Sequence, residues 1–134
     1  MTHTRLTDRH VLIVDDDQDI LSSFDLALRA EGATTTCVTD GGAAIVQCQN
    51  EDFDAVVLDM MLPKASGFLV LEKIGELDEP PIVLMVTANQ GQRHMAYARS
   101  LGVHAYLNKP VPLERLVETL AELLEQADRA TDPS

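Results

Sequence analysis

The stretch "VLIVDDDQDI", Val11 to Ile20, decides how this chain is read. Four apolar, mostly β-branched residues run straight into Asp15, Asp16 and Asp17. Such a run reads as a strand buried on both faces, and His10 to Val14 is taken as that strand. Adjacent carboxylates repel and raise each other's pKa. A buried strand that ends on them needs either solvent or a cation to receive the charge, and the rest of the chain decides which.

At 134 residues the length fits one domain with a real core. Hydrophobic content of 46% with only 4% aromatics describes a globule built from Ala, Leu and Val. No apolar run approaches the roughly eighteen residues that a membrane span needs. The opening "MTHTRLTDRH" is polar and unlike a secretory signal. Cys37 and Cys48 lack C-x-x-C spacing and read as two small buried thiols in a reducing compartment, which points to the cytoplasm. The formal net charge is −12, with 22 acids against 10 bases, and no basic stripe is visible. That argues against direct nucleic-acid binding by this domain.

Strand and helix patterns alternate along the chain. From Asp17 onward, carboxylates crowd a helix start, where the dipole favours them. Ile20, Leu21, Phe24 and Leu28 then recur at helical spacing up to Gly32, a good stop. "ATTTCVT" is a weaker second strand, and Asp40 opens a short helix through "DGGAAIVQCQN". "DAVVLDM" repeats the opening device, with Ala55 to Leu58 ending on Asp59. Phe68, Leu71, Ile74 and Leu77 mark a third helix, and "PPIVLMVTA" is a fourth strand ending on Thr87 and Ala88. "GQRHMAYARSLG" is a helix with a thin apolar face, and "HAYLNKP" is a short fifth strand ending at Lys109. Pro112 starts a last, strongly amphipathic helix through Leu113, Leu116, Val117, Leu120, Leu123 and Leu124. Five strand–helix units argue an α/β, doubly wound, mostly parallel sheet covered by helices on both faces. Residues 1–9 are expected to be an N-terminal tail, 10–127 the domain, and 128–134 a tail or the start of a linker.

In such sheets ligands bind at the carboxyl ends of the strands. Sorted by that rule, Asp15, Asp16, Asp59, Thr87 and Lys109 converge on one edge. Oxygen ligands alone suit a hard ion, Mg²⁺ before Ca²⁺. No His or Cys stands at these strand ends, which argues against zinc. The carboxylates and Lys109 leave a charge of about −2, which one divalent ion cancels. A phosphoryl group arriving there would meet a metal, an ammonium and a hydroxyl, the equipment that stabilises phosphoryl transfer.

The stretches "VLIVDDDQDIL", "VTDGGAAI", "DAVVLDMMLPKASGFLVL", "IVLMVTA" and "AYLNKPV", in this order and spacing, resemble the receiver domain of two-component response regulators over essentially the whole chain. The resemblance implies a flavodoxin-like (βα)5 fold with strand order 2-1-3-4-5, and a phosphorylation-activated switch rather than a turnover enzyme. It implies Asp59 as phosphoacceptor. Asp16 would hold Mg²⁺ directly, Asp15 through water, and Met61 through its carbonyl. Lys109 and Thr87 would meet the phosphoryl group, with Ala88 leaving the acceptor accessible. Thr87 and Tyr106 would form the switch, and Met61 and Asn89 lie where the family tunes phosphoryl lifetime. The implied partners are a histidine kinase or histidine phosphotransfer protein, a downstream effector or linked output domain, and a second copy on phosphorylation. The departures are mild: Val111 stands where many receivers carry Phe, and Ala44 replaces a frequent Glu.

Taken singly, each residue has a plainer reading. Asp15 and Asp16 could cap the first helix, Asp17 and Asp19 read as exposed first-turn acids, Lys109 as a surface lysine and Tyr106 as packing. His94 and His104 read as rim residues. An enzyme reading also exists: "LIVDDD" fits the Asp-x-Asp opening of haloacid-dehalogenase-type phosphatases, with Asp15 as nucleophile and Asp17 as acid. A dinucleotide site lacks its G-x-G-x-x-G after the first strand. A degenerate receiver used only for docking is disfavoured because every chemical position is filled.

Overall fold

The computed structural model describes residues 4–88 and 92–131. The elements alternate as β1 (His10–Val14), α1 (Gln18–Ala30), β2 (Thr34–Val38), α2 (Gly41–Asn50), β3 (Ala55–Asp59), α3 (Gly67–Gly75), β4 (Ile82–Thr87), α4 (Gln92–Ser100), β5 (Ala105–Asn108) and α5 (Leu113–Thr131). The strands form one sheet in the order β2-β1-β3-β4-β5, every neighbouring pair parallel.

Successive side chains of a strand point to opposite faces, and the two helical layers divide them accordingly. Val11, Ile13 and Val57 pack with Phe24 and Leu28 of α1 and Leu116 and Leu120 of α5. Leu12, Val14 and Leu58 pack with Ala44, Val70 and Ile74 on the α2–α3 side. Central strands covered twice need the unbroken apolar runs seen in β1, β3 and β4. Edge strand β2 is covered less well, and Cys37 is exposed, contrary to its reading as a buried thiol; Cys48 is buried.

Local chemistry sets the helix ends. Asp17 caps α1, its carboxylate accepting from the N–H groups of Asp19 and Ile20. Asp40 does the same for α2 and Ser66 for α3. Gly32, at φ 96°, turns the chain out of α1 in the left-handed region that favours glycine. The third helix stops at Gly75, so Leu77 packs from the turn that follows. α4 is weakly anchored. Ala98 is its buried residue among those described, with Met95 half-buried and Leu101 packed just beyond its end.

The described residues on either side of 10–127 are more integrated than tails. Leu6 is 0% exposed and joins the core, and Arg5 bridges Glu31 at the end of α1 to Glu114 at the start of α5. Arg9 pairs with Asp128, and α5 runs on to Thr131, past residue 127. Among the described residues no helix is long and apolar enough to cross a membrane.

Candidate functional site

The parallel register brings the carboxyl ends of β1, β3, β4 and β5 to one edge. Asp15 and Asp59 are buried there at 2% and 5% exposure, and Asp16 is exposed beside them. One oxygen from each of these three carboxylates lies within 4.8 Å of the others, a spacing that one cation could bridge.

Lys109 enters from the loop after β5, its backbone N–H donating to the Thr87 carbonyl at 2.9 Å. Its Nζ lies 2.9 Å from Asp15 Oδ2 and 3.4 Å from Asp59 Oδ2, so one ammonium serves two buried carboxylates. The other oxygens are fixed by backbone. Asp17 N–H donates to Asp15 Oδ1 at 2.9 Å, and Met61 N–H donates to Asp59 Oδ1 at 3.2 Å.

These contacts do not balance the charge. Burial, with the Asp15 charge added, holds the Asp59 carboxyl above its ordinary pKa despite Lys109 and the Met61 N–H. Burial pulls the Lys109 ammonium down, but its hydrogen bond to Asp15 and the charges of Asp59 and Asp15 outweigh that and raise it. The site therefore keeps a cation of its own and still has room for more positive charge, as the carboxylate count had implied.

Thr87, 0% exposed, ends β4 beside Asn108, and Ala88 follows it at the surface. Tyr106 is half-buried on β5 opposite Met85, on the same side of the sheet as Ala98 of α4. The Met61 side chain is 65% exposed, while its backbone N–H is tied to Asp59 at the end of β3. Asn89 lies outside the described residues. Direct contacts thus join Asp15, Asp59 and Lys109, and strand register places Thr87 and Tyr106 nearby.

The dehalogenase-type reading fails on geometry. Asp17 is an exposed helix cap whose carboxylate is occupied by Asp19 and Ile20 amides, so it is not placed as an acid over Asp15.

Two glycines that motif reading passed over shape the loop after Asp59. A Cβ on Gly67 would stand 2.6 Å from the Asp59 carbonyl oxygen, and one on Gly41 would stand 2.1 Å from the Ala65 carbonyl oxygen. Gly41 N–H also donates to Pro63 O at 3.2 Å, and Gly67 N–H to Met60 O at 2.9 Å. Lys64 takes a positive φ of 67° between them.

The family model of the response regulator receiver domain matches residues 11–121. The chain belongs to that family. As a receiver it is a phosphorylation-activated switch of two-component signalling, not a classical turnover enzyme. It is 37% identical over 117 residues to the response regulator SaeR of Staphylococcus aureus, covering 86% of this chain and 50% of that protein. The chain therefore spans about half the length of the curated relatives it matches. A CheY-like receiver domain protein from Methanospirillum hungatei superposes with a TM-score of 0.88 at 30% identity, covering 91% of this chain and 98% of that one. The receiver domain of a sensor histidine kinase from Pseudomonas aeruginosa, solved with magnesium in its active-site cleft, shares the fold. Its TM-score is 0.80 at 24% identity, covering 87% of this chain and 98% of that one.

Proposed function

We propose that Asp59 is the residue phosphorylated in this receiver, with Mg²⁺ held by Asp15, Asp16, Asp59 and the Met61 carbonyl. The observation that carries this reading is the ammonium of Lys109 shared between Asp15 and Asp59 beside a third carboxylate. In the reaction an Asp59 carboxylate oxygen attacks phosphorus as the bond to the donor imidazole breaks, leaving an acyl phosphate and a neutral histidine. Mg²⁺ bound there would neutralise charge on the phosphoryl oxygens. Lys109 follows the charge from Asp59 to the phosphoryl group, the Thr87 hydroxyl takes another of its oxygens, and Ala88 leaves the approach open.

The phosphoryl donor is a histidine kinase or histidine phosphotransfer protein, and the setting is the cytoplasm. Autodephosphorylation is at most slow. The domain unit is residues 10–127 together with the N-terminal segment from Arg5 and the end of α5 that pack on it. It reads into a linked output domain or a separate effector, with phosphorylation-dependent pairing of two copies as a further outcome. The surface that changes is α4-β5-α5, with Thr87 and Tyr106 as the switch. α4 has a scant apolar anchor, which suits a two-state element. Moving from a few per cent active to mostly active takes about 3–4 kcal/mol of differential stabilisation. New charge-assisted bonds from Thr87 and Lys109, at about 1.5–3 kcal/mol each, reach that range.

Intact-mass spectra after treatment with acetyl phosphate and Mg²⁺ test the assignment. Wild type should gain one phosphoryl group, and Asp59→Asn none, because an amide is no nucleophile. Full labelling of Asp59→Asn would move the acceptor elsewhere.

A further inference from the structure

The short connection between α4 and β5 carries His104, which lines a groove of about 320 Å³ at the opposite end of the sheet from the carboxylates. It faces Val83 one rung before the Leu84–Ala105 pair that opens the regular β4–β5 ladder. His104 N–H donates to Val83 O at 2.9 Å. Val83 N–H donates in return to Nδ1 of the His104 ring at 3.0 Å. One residue thus satisfies both backbone groups of Val83, with an imidazole standing in for a carbonyl. The chain has just turned at Gly102, whose φ is 99°, and the ring completes the rung beyond that turn.

Only one state of the ring can do this. Nδ1 accepts a hydrogen bond only when it carries no proton, so the ring must be neutral with its hydrogen on Nε2. A second proton would set N–H against N–H and leave the Val83 amide without an acceptor, and that loss is what a partly buried donor resists. We propose that His104 is a proton-released pin: the neutral ring fastens the α4–β5 junction to β4, and protonation lets that junction go. The pin acts on the strand that carries Tyr106 and leads to Lys109. It stands on its own geometry, whichever carboxylate accepts phosphate.

The surroundings favour the neutral ring. The groove beside it is formed by Leu71 and Ile74 of α3, Pro80 and Pro81 of the following loop, Val83 of β4 and Leu101 after α4, and none of these ionises. His104 is exposed on one side, but the protein packed around the rest of the ring holds the imidazole below its ordinary pKa by desolvation. A base that binds its proton less readily when folded lends stability that is complete above the unfolded value of about 6.5. That stability is lost as pH falls through the folded value. Acidification therefore loosens the junction between α4 and β5.

The ring state and the rung are both measurable by NMR. At pH 7.5 the His104 ring should show an unprotonated Nδ1 and a protonated Nε2. Hydrogen exchange at the Val83 amide should then be compared at each pH with His104→Asn, whose Oδ1 replaces Nδ1 but does not titrate. The two should match at pH 7.5. By pH 5 the wild type should lose about fivefold in relative protection, the equilibrium weight of one net hydrogen bond. His104→Ala should lack the protection throughout; if it does not fold, the wild-type and Asn comparison decides alone. A proton on Nδ1 at pH 7.5, or a wild-type to Asn ratio that stays flat down to pH 5, would overturn the proposal.

Discussion

Gly67→Ala sets two effects of opposite sign against each other. Gly67 is the first residue of α3, and its backbone is not in the left-handed region, so alanine is conformationally allowed. Helix propensity alone predicts a gain of about 0.5–1 kcal/mol. Contact predicts a loss. The new Cβ would lie 2.6 Å from the Asp59 carbonyl oxygen and from Met60 Cα, about 0.8 Å inside the 3.4 Å at which ordinary contact begins. Both neighbours are backbone and cannot swing aside, so the overpacking cost is about 1–3 kcal/mol. Contact should win, for a net loss of up to about 2.5 kcal/mol in urea unfolding.

The displaced atoms belong to Asp59 and Met60 at the end of β3, so with Asp59 as the proposed acceptor the rate of phosphorylation should suffer as well. A shift approaching 1 Å can cost on the order of 10²-fold in rate. Phosphorylation by acetyl phosphate, followed by intact mass, measures it. Gly75→Ala at the other end of α3 is the control. Its nearest neighbour would be the Leu101 carbonyl oxygen at 4.0 Å, so it should be neutral or gain up to about 0.5 kcal/mol and be phosphorylated normally. A Gly67→Ala protein as stable and as reactive as the Gly75→Ala one would refute the reasoning.

Asp16→Asn should lose Mg²⁺ binding in an NMR titration, and unchanged affinity would remove Asp16 from the ligand set. Without Mg²⁺, Asp59 should cost stability as pH rises: its raised pKa means the fold binds that proton more readily than the unfolded chain, so its favourable contribution is complete below about 3.9 and lost through the folded value. Asp59→Asn should accordingly unfold at higher urea than wild type at pH 7, and added Mg²⁺ should narrow the gap. Leu6→Ala should cost about 2–5 kcal/mol, as for any buried leucine, where a tail residue would cost almost nothing. Thr87→Ala should still take phosphate, yet with beryllofluoride its amide shifts from Gln92 to Tyr106 should be much smaller than in wild type; equal shifts would deny Thr87 its switch role.

The sheet and the acidic edge could be read from sequence because parallel strands announce themselves. Val11 to Val14, Ala55 to Leu58 and Ile82 to Val86 are apolar without interruption, and each runs into a polar residue at its carboxyl end. What escaped was held by single tertiary contacts. Leu6 is one apolar residue in a polar run, with no periodic partner to mark it as core. Glu31 looks like any helix-end acid, but it is buried against Arg5. Gly41 and Gly67 matter through backbone that approaches from another part of the chain. Cys37 reads as a buried small thiol by residue type, whereas it lies on edge strand β2, whose residues are exposed or half-buried. His104 carries no sequence signal, since its partner is a main-chain amide.

The ion pairs of Arg5 and Arg9 have a mechanical consequence. They lash the N-terminal segment to the end of α1 and to both ends of α5, while α4 across the sheet rests on Ala98 with Met95 and Leu101 only partly buried. The domain is therefore stiff along one flank and compliant along the other. Both flanks share the strand ends where the carboxylates sit, so a load applied there is not divided evenly. Within the proposed α4-β5-α5 surface, α5 is then the braced member and α4 the one with room to travel. In the proposed switch, that bracing would make α4 the part that yields when a phosphoryl group arrives.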